Sequence, residues 1–249
     1  MIKFFRHIRQ RLLSENRFSK YLIYALGEIV LVVIGILIAL GINSAYNNKE
    51  ERKDLVQYYE KIITELDSNL VYFKNQLESR KQYQKEAKQL LGLLAQKNKD
   101  SLGILLKGIS VVKEINSISP SFPTIEEFLS HDLFAKIEND ALKDQFQNFS
   151  VMYKFIGLVD EYSIDQYQIS IEPFLINNFN YSEITTGYYS DISIKGGPPS
   201  KTDGIYEDLR LWNVISNKIE TWQYEKDNLA WAIRVQENLK TLIEQELHD

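Results

Sequence analysis

The feature that most constrains this chain is the segment from Tyr21 to Asn43, which is 23 residues long and contains a single charged residue, Glu28. A helix rises about 1.5 Å per residue, so the segment is about 34 Å long and can cross a hydrocarbon core of about 30 Å. Most of its residues are isoleucine, leucine and valine. The sequence therefore predicts one transmembrane helix over residues 21–43.

The charges on the two sides of this segment have opposite sign. Residues 1–20 carry six basic residues and one acidic residue, whereas residues 44–249 carry 23 basic and 32 acidic residues. The positive-inside rule places the basic head in the cytoplasm and the acidic body on the other side of the membrane. We therefore expect three parts: a cytoplasmic segment 1–20, the span 21–43 and an extracytoplasmic domain 44–249.

Apolar residues recur at helical spacing in the head, from Ile2 to Leu12, with basic residues between them. This pattern favours a short amphipathic helix on the inner leaflet, in contact with membrane lipid. A disordered basic tail that only sets the topology is the alternative. The basic residues expected to contact the leaflet are Lys3, Arg6, Arg9, Arg11, Arg17 and Lys20.

A cleaved signal peptide is a second interpretation of the same segment. The uncharged run Ile29–Ile42 has the length of a signal-peptide core, and Ala39 to Gly41 offers a site of the small-x-small type. Against this, the region before the run is long and contains Glu28, and the helical pattern continues beyond Asn43. The anchor interpretation is therefore preferred.

The N-terminal 43 residues resemble one uncharacterised family of Gram-negative bacteria, domain of unknown function 6090. The resemblance rests on three stretches and is weaker at two more: Met1 to Gln10, Ser14 to Leu22, Gly27 to Leu40, Pro123 to Leu129 and Ile137 to Leu142. It implies a single-pass inner-membrane protein with a helical periplasmic domain, and it implies no activity, substrate or cofactor. Family members usually have Gln at the position of Gly41 and Asn-Trp at Ser44-Ala45, so Tyr46 is expected to replace the interfacial Trp.

One face of the predicted span combines a carboxylate with small residues. Glu28, Leu31, Gly35 and Ala39 form one stripe, and Gly35 to Ala39 has small-xxx-small spacing. A carboxylate in hydrocarbon is costly, so we expect this stripe to bind another transmembrane helix, of a protein partner or of a second copy. In the alternative, Glu28 reaches the lipid headgroups and the small residues have no role.

The body has few helix-breaking residues, since the whole chain contains 11 glycines and five prolines. We expect an all-α fold in which the span is followed by an elongated antiparallel bundle, with long helices over about 45–96, 140–178 and 206–246. The first has an apolar seam from Leu55 to Leu77, interrupted by Asn69, which either fixes a coiled-coil register or faces a partly wet bundle edge. Pro173 should kink the second helix. Its core face is expected to include Phe146, Phe149, Tyr153, Phe155/Ile156 and Leu158/Val159.

Two shorter signals lie between these helices. Thr124 is expected to open a helix with Glu126 and Glu127 in its first turn, where carboxylates suit N-capping and the helix dipole. His131 is expected in a turn, because no nucleophile and carboxylate partner for a catalytic histidine is identifiable.

Residues 180–204 interrupt the helical pattern with a loop or short hairpin. The segment is rich in tyrosine and contains the run Gly196 to Pro199. Loops of this length are frequently functional, so Tyr181, Tyr188 and Tyr189 form a candidate interaction surface. A mobile insertion at the bundle tip is the alternative.

The composition and the motifs favour a protein that is not an enzyme. The chain has no cysteine and three separated histidines, so we expect no metal site, and no catalytic or cofactor-binding fingerprint is present. The acidic body lacks a basic patch for nucleic acid. We therefore expect a scaffold or accessory subunit of an envelope complex. The alternative is a small-ligand sensor that signals through a partner, since the short cytoplasmic head cannot hold a signalling domain.

Overall fold

The computed structural model describes residues 18–115, 117–185, 191, 194 and 196–248, with the backbone alone at 18, 20, 21 and 24. All regular secondary structure in this part of the chain is helical, which confirms the predicted all-α class. The chain divides into two units, Met1–Gln57 and Tyr58–Asp249, which are described separately.

Helix α1, Phe18–Gln96, is one uninterrupted helix of 79 residues. It contains no proline, and its four glycines are tolerated within a helix at modest cost. The predicted span and the predicted helix 45–96 are therefore parts of a single element. The helix ends where Lys97 adopts a left-handed conformation (φ 52°) and the Asn98 side chain accepts a hydrogen bond from the Asp100 amide.

In the first unit, α1 contains a stretch that is long and apolar enough to cross a membrane, with a mean hydropathy of 2.7. No residue of that stretch is buried within the chain. A buried helix of a soluble domain would not leave such a surface exposed, so the structure agrees with a membrane span or an N-terminal signal sequence.

Short helices connect α1 to the rest of the second unit. After a 3-10 turn at Lys99–Ser101 come α2 (Leu102–Gly108), a 3-10 turn at Ile109–Lys113, α3 (Pro123–Ser130) and α4 (Asp132–Ala135). His131 is the N-cap of α4, because its Nδ1 accepts a hydrogen bond from the Leu133 amide at 3.1 Å. The predicted turn residue is thus a helix cap.

The second long helical stretch has the predicted bounds, 140–178, but it is not a regular α-helix throughout. Helix α5 (Asp140–Gln166) leads into a π-helical turn (Tyr167–Ile171), and α6 (Glu172–Asn178) follows. The expected kink at Pro173 is therefore a π-helical turn just before the proline. Pro173 lies in the first turn of α6, where the missing amide hydrogen costs least.

Helix α8, Leu209–His248, runs antiparallel to both other long helices of this unit. Along α1, Asp67 pairs with Lys240 and Gln84 donates to the Ile219 carbonyl. Along α5, Asn139 donates to Glu246 at 2.7 Å, and Gln166 donates to Thr221 at 2.6 Å. These pairs fix the register of three helices around the core.

The core has two apolar clusters. One is aromatic, with Phe122, Phe128, Phe146 and Phe149 buried against α1. The other joins the end of α1, α2 and α6 around Leu90, Phe174 and Trp222. A row of buried polar side chains accompanies these clusters, namely Arg80, Gln84, Gln166, Lys218, Thr221, Glu225 and Gln236.

The described residues of the 180–204 segment contain no strand, so the suggested hairpin is absent there. A four-residue helix, α7 (Tyr181–Ile184), is capped by the Asn180 side chain. The Asn180 amide also donates to the carbonyls of Gly196 and Pro198, and Ser200 donates to Glu183. These bonds hold both ends of the insertion against each other. A 3-10 turn, Ile205–Glu207, then leads into α8.

Candidate functional site: an apolar groove between two long helices

Helix α5 has two apolar faces. Met152, Ile156 and Val159 are buried in the core, whereas Val151 and Leu158 are each 60% exposed. The sequence prediction placed Phe155, Ile156, Leu158 and Val159 together on the core face. This is wrong for Phe155 and Leu158, which are exposed. Adjacent residues lie about 100° apart around a helix, so only one of each apolar pair can face the core.

The exposed face of α5 has a heptad pattern. Val151, Phe155, Leu158 and Tyr162 are exposed at 4-3-4 spacing. This spacing places all four on one stripe and is typical of helices that bind another helix. The repeated apolar pairs 151/152, 155/156 and 158/159 are the sequence signal that would have revealed this second stripe.

Aromatic side chains of α8 lie beside this stripe. The Tyr162 and Tyr224 rings have centroids 6.4 Å apart, and the Phe155 and Trp231 rings are 5.9 Å apart, both in edge-to-face geometry. Such pairs contribute roughly 0.5–1.5 kcal/mol beyond area burial, so they hold the two helices in register. We call this surface the α5–α8 groove, defined by Val151, Phe155, Leu158, Tyr162, Tyr224 and Trp231.

The groove contains a cavity of about 420 Å³ and continues into a second cavity of about 740 Å³ beside the π-helical turn. Asn217 and Glu220 line both cavities, so the two are contiguous. The second cavity also has Ile169, Ser170, Leu209, Arg210, Asn213, Val214 and Ser216 in its wall. Its exposed walls make it an open depression of the surface.

Polar side chains lie beneath the groove where α5 meets the π-helical turn. The Gln166 amide nitrogen donates to the Thr221 hydroxyl at 2.6 Å, and Thr221 donates to the Asn217 carbonyl at 3.0 Å. The Gln166 amide oxygen is buried and has no hydrogen-bond partner among the described residues. Turns of π-helix occur frequently at functional sites, because they re-aim the side chains around them.

The charges along the groove are unevenly distributed. Glu161 and Asp165 on α5, with Glu220 and Asp227 on α8, lie in the half of the groove nearer the π-helical turn, and all four are exposed. One exposed cation, Arg210, lies at that end too, in the wall of the second cavity. Exposed Lys154 and Arg234 lie within one turn of Phe155 and Trp231, at the other end. The half of the groove nearer the π-helical turn therefore has a net negative charge, with four carboxylates against one cation, and the other end is basic.

A buried ion pair lies on the opposite side of α8. Arg80 Nε donates to Glu225 Oε2 at 2.7 Å, and both side chains are at most 3% exposed. Lys218 is buried near them with its ammonium 5.4 Å from the Trp222 ring. Burial lowers the pKa of Lys218, Glu225 opposes that shift, and Arg80 adds to it. The heptad of α1, continued from Phe73 and Leu77, places Arg80 and Gln84 on the core face, a signal that sequence reasoning overlooked.

The residues predicted in the membrane helix lie on α1. Glu28 is half-buried, and Leu31, Gly35 and Ala39 are exposed along the same side of the helix. A side chain added at Gly35 would meet no atom within 4 Å. The face is thus open to a helix from another chain, and its packing role stays a prediction.

The other predicted contact residues are only partly described. Lys3, Arg6, Arg9, Arg11, Arg17, Tyr188 and Tyr189 lie outside the described residues, as does the side chain of Lys20. Tyr181 is half-buried against the second apolar cluster, and the Lys113 ammonium lies 4.5 Å from its ring. Its ring therefore packs partly against the core, and its role in an interaction surface stays a prediction.

Among the residues that the structure describes, no group of three or more histidine, aspartate or glutamate side chains is arranged to hold a metal ion.

No family model matches the chain. No curated protein and no solved structure matches it either. The resemblance of its first 43 residues to the uncharacterised family therefore stays a prediction.

Proposed function

We propose that this protein is a non-enzymatic scaffold or accessory subunit of an envelope complex, anchored in the inner membrane by residues 21–43. In this proposal the N-terminus is cytoplasmic and an elongated helical bundle lies in the periplasm. The single observation that carries the proposal is the exposed heptad row of Val151, Phe155, Leu158 and Tyr162 on α5. Contiguous exposed apolar surface of this kind is typical of interaction sites.

The size of the row supports an interface. Burying a large apolar side chain contributes roughly 1.5–3 kcal/mol, so four of them contribute several kcal/mol towards the cost of association. The row alone therefore suits a modest interface. A second contact through the stripe of Glu28, Leu31, Gly35 and Ala39 would increase the overall affinity, since both sites belong to one chain.

The membrane placement rests on the apolar stretch of α1 and on the charge asymmetry of the sequence. The basic head favours a cytoplasmic N-terminus, and the acidic body favours the opposite side. Replacing charges in the head and mapping the exposed side with a membrane-impermeant label would test this topology.

The test of the proposed function is purification of the tagged full-length protein from native membranes in a mild detergent, with mass spectrometry of the proteins that co-elute. We expect a stoichiometric partner that is lost with Leu158→Glu. Val71→Glu is the matched control, because Val71 is 61% exposed on α1. Gly35→Leu and Glu28→Leu test the membrane contact separately. Recovery of the wild-type chain without any stoichiometric partner would contradict the accessory-subunit proposal.

A second candidate function, a ligand sensor, is favoured by the cavity of about 740 Å³ beside the π-helical turn. The exposed walls count against this function, because small-molecule sites usually enclose most of their ligand. A rise in melting temperature with a small molecule, abolished by Asn217→Leu, would favour the sensor.

A further inference from the structure

We infer that the α5–α8 groove binds an amphipathic helix of a different protein, with basic residues over the Glu220 end of the groove and acidic residues over the Lys154 end. This inference rests on the proposed function and names the kind of partner that this site takes. It follows from the spacing of the apolar row, the length of the groove and the distribution of charge.

The spacing selects a helix as the occupant. The exposed row on α5 follows 4-3-4 spacing, which interdigitates with an apolar seam of the same period on a partner helix. An extended strand presents side chains with a period of two and does not match this pattern. Three long helices with an apolar groove between two of them also offer the position of a fourth helix in a bundle.

The length of the groove defines the partner segment. From Val151 to Ile169 the groove and the second cavity together extend over 18 residue steps, or about 27 Å at the rise of an α-helix. A partner helix of about 18 residues, or five turns, therefore fills it. The wider cavity beside the π-helical turn, with Ser170 and Asn213 in its wall, has room for a long polar side chain at that end of the partner.

The charges favour one type of partner over others. Four exposed carboxylates lie in the half of the groove nearer the π-helical turn, against the single exposed cation Arg210, and two exposed cations lie at the other end. Glu220 lies in one cavity with the Tyr162 and Tyr224 rings, an environment that suits a lysine or arginine side chain through ion pairing and cation–π contact. Complementary charge gives specificity and a faster association rate.

A second copy of this chain fits the groove poorly in either orientation. In a parallel pair with two-fold symmetry, the acidic ends would meet each other, as would the basic ends, and like charges repel. In an antiparallel pair the charges would match. However, the Phe128 ring contacts both Tyr58 on α1 and Phe146 in the N-terminal part of α5. Tyr58 therefore lies at the same end of the unit as the N-terminal part of α5. An antiparallel pair would therefore hold its two Tyr58 residues at opposite ends, although both copies continue in sequence to an apolar stretch that, in the proposed function, enters the same membrane.

The test uses full-length protein in lipid nanodiscs and two labelled helical peptides of 18 residues. Both peptides have the same leucine seam. The dipolar peptide has lysines in one half and glutamates in the other, and the acidic peptide has glutamate in place of every lysine. Fluorescence anisotropy is expected to show at least tenfold weaker binding of the acidic peptide. Leu158→Glu should abolish binding of both peptides, whereas Val71→Glu should leave it unchanged.

One double variant tests the contribution of charge directly. In Glu220→Lys/Asp227→Lys the acidic end loses two carboxylates and gains two cations, so the preference for the dipolar peptide should fall at least tenfold. Because both residues are exposed, the fold should be retained, which circular dichroism checks. Equal binding of both peptides to the wild-type protein would overturn the inference.

The absence of cysteine from the chain allows the orientation to be measured. Asn213→Cys places a single thiol at the acidic end of the groove, and Asn148→Cys places one seven residues before Phe155, at the basic end. A dipolar peptide with a cysteine at its lysine end should form a disulfide with Asn213→Cys and not with Asn148→Cys. Equal cross-linking to both variants would overturn the proposed orientation.

Failure of this inference can be separated from failure of the proposed function. A stoichiometric native partner that survives Leu158→Glu would leave the complex intact and would exclude the groove as its docking site. A dimer of the full-length protein that dissociates with Leu158→Glu, seen by analytical ultracentrifugation, would assign the groove to a second copy and overturn the inference. A native partner whose cross-link to residue 158 maps to a helix with the opposite charge pattern would also overturn it.

Discussion

Arg80 on α1 and Glu225 on α8 form a buried ion pair, with Nε and Oε2 2.7 Å apart and both side chains almost fully inaccessible. The Arg80 guanidinium also donates to Gln76, one turn earlier on α1. The pair connects two antiparallel helices within the row of buried polar side chains. Its energetic value depends on both partners being present, because an isolated buried charge is costly.

Replacing one member of this pair should destabilise the protein strongly. Arg80→Leu leaves the Glu225 carboxylate buried without its main partner, and we expect a loss of about 3–5 kcal/mol in the free energy of unfolding. The double variant Arg80→Leu/Glu225→Leu removes both charges and should regain most of that loss. Chemical denaturation followed by circular dichroism measures both effects.

The control for this prediction is the exposed pair between Lys74 and Glu237, which are 2.9 Å apart on the same two helices. Both side chains are about half exposed, so Lys74→Ala should cost less than about 1 kcal/mol. If Arg80→Leu costs no more than Lys74→Ala, the buried pair does not stabilise the native state.

Lys218 should make stability depend on pH in the alkaline range. Burial lowers its pKa in the folded protein below the ordinary value of 10.5. Between that lowered pKa and 10.5, the unfolded chain binds more protons than the folded one, so stability increases as the pH rises through this window. Lys218→Met removes this dependence and should be more stable than wild type at neutral pH.

The measurement is the difference in unfolding free energy between wild type and Lys218→Met from pH 7 to pH 11. The difference cancels the contributions of other lysines and tyrosines. The groups that face Lys218 are Glu225, Arg80 and Glu114, so the comparison is repeated in the Arg80→Leu background. A difference that is constant across this range would show that Lys218 has an ordinary pKa in the folded state.

The sequence predicts the long helices because their apolar periodicity extends over many turns. The start at Asp140, capped by Asn139, agrees with the prediction. The last helix begins at Leu209, three residues after the predicted start, because a separate 3-10 turn occupies Ile205–Glu207. The π-helical turn before Pro173 has no comparable local pattern. It depends on how Tyr167 and Ile171 both fit into the core, which only the packed structure shows.

The groove could be predicted only in part. The apolar pairs Phe155/Ile156 and Leu158/Val159 are visible in the sequence, but the face that meets the core depends on the position of α8. Similarly, the N-terminus of α3 contains Glu126 as expected, yet its capping carboxylate belongs to α1. Local sequence patterns do not predict contacts between residues about 60 positions apart.

Glu65 should stabilise α3, although it precedes Thr124 by 59 residues in the sequence. Its two carboxylate oxygens accept hydrogen bonds from the Thr124 and Ile125 amides, at 2.8 and 3.0 Å. Phe122, at the N-cap position, makes no capping bond through its side chain. We expect Glu65→Ala to lower the free energy of unfolding by about 0.5–2 kcal/mol, as loss of an N-cap does. Glu65→Gln should lower it less, because one acceptor oxygen remains.

Chemical denaturation measures the unfolding free energy of both variants. The control is Glu60→Ala, because Glu60 is exposed on the same helix. Equal stability of the Glu65 and Glu60 variants would contradict the capping role.

Two glycines should respond to alanine with opposite sign. Gly92 lies inside α1, and a side chain added there meets no atom within 4 Å, so Gly92→Ala should stabilise by about 0.5–1 kcal/mol through the higher helix propensity of alanine. Gly204 precedes the 3-10 turn at Ile205–Glu207 with φ 71°, a left-handed conformation that costs an alanine about 1–2 kcal/mol. Thermal unfolding of both variants in parallel is the measurement.

A lower melting temperature for Gly92→Ala would show that α1 is strained at this position. An unchanged melting temperature for Gly204→Ala would show that the turn adopts another conformation at no cost.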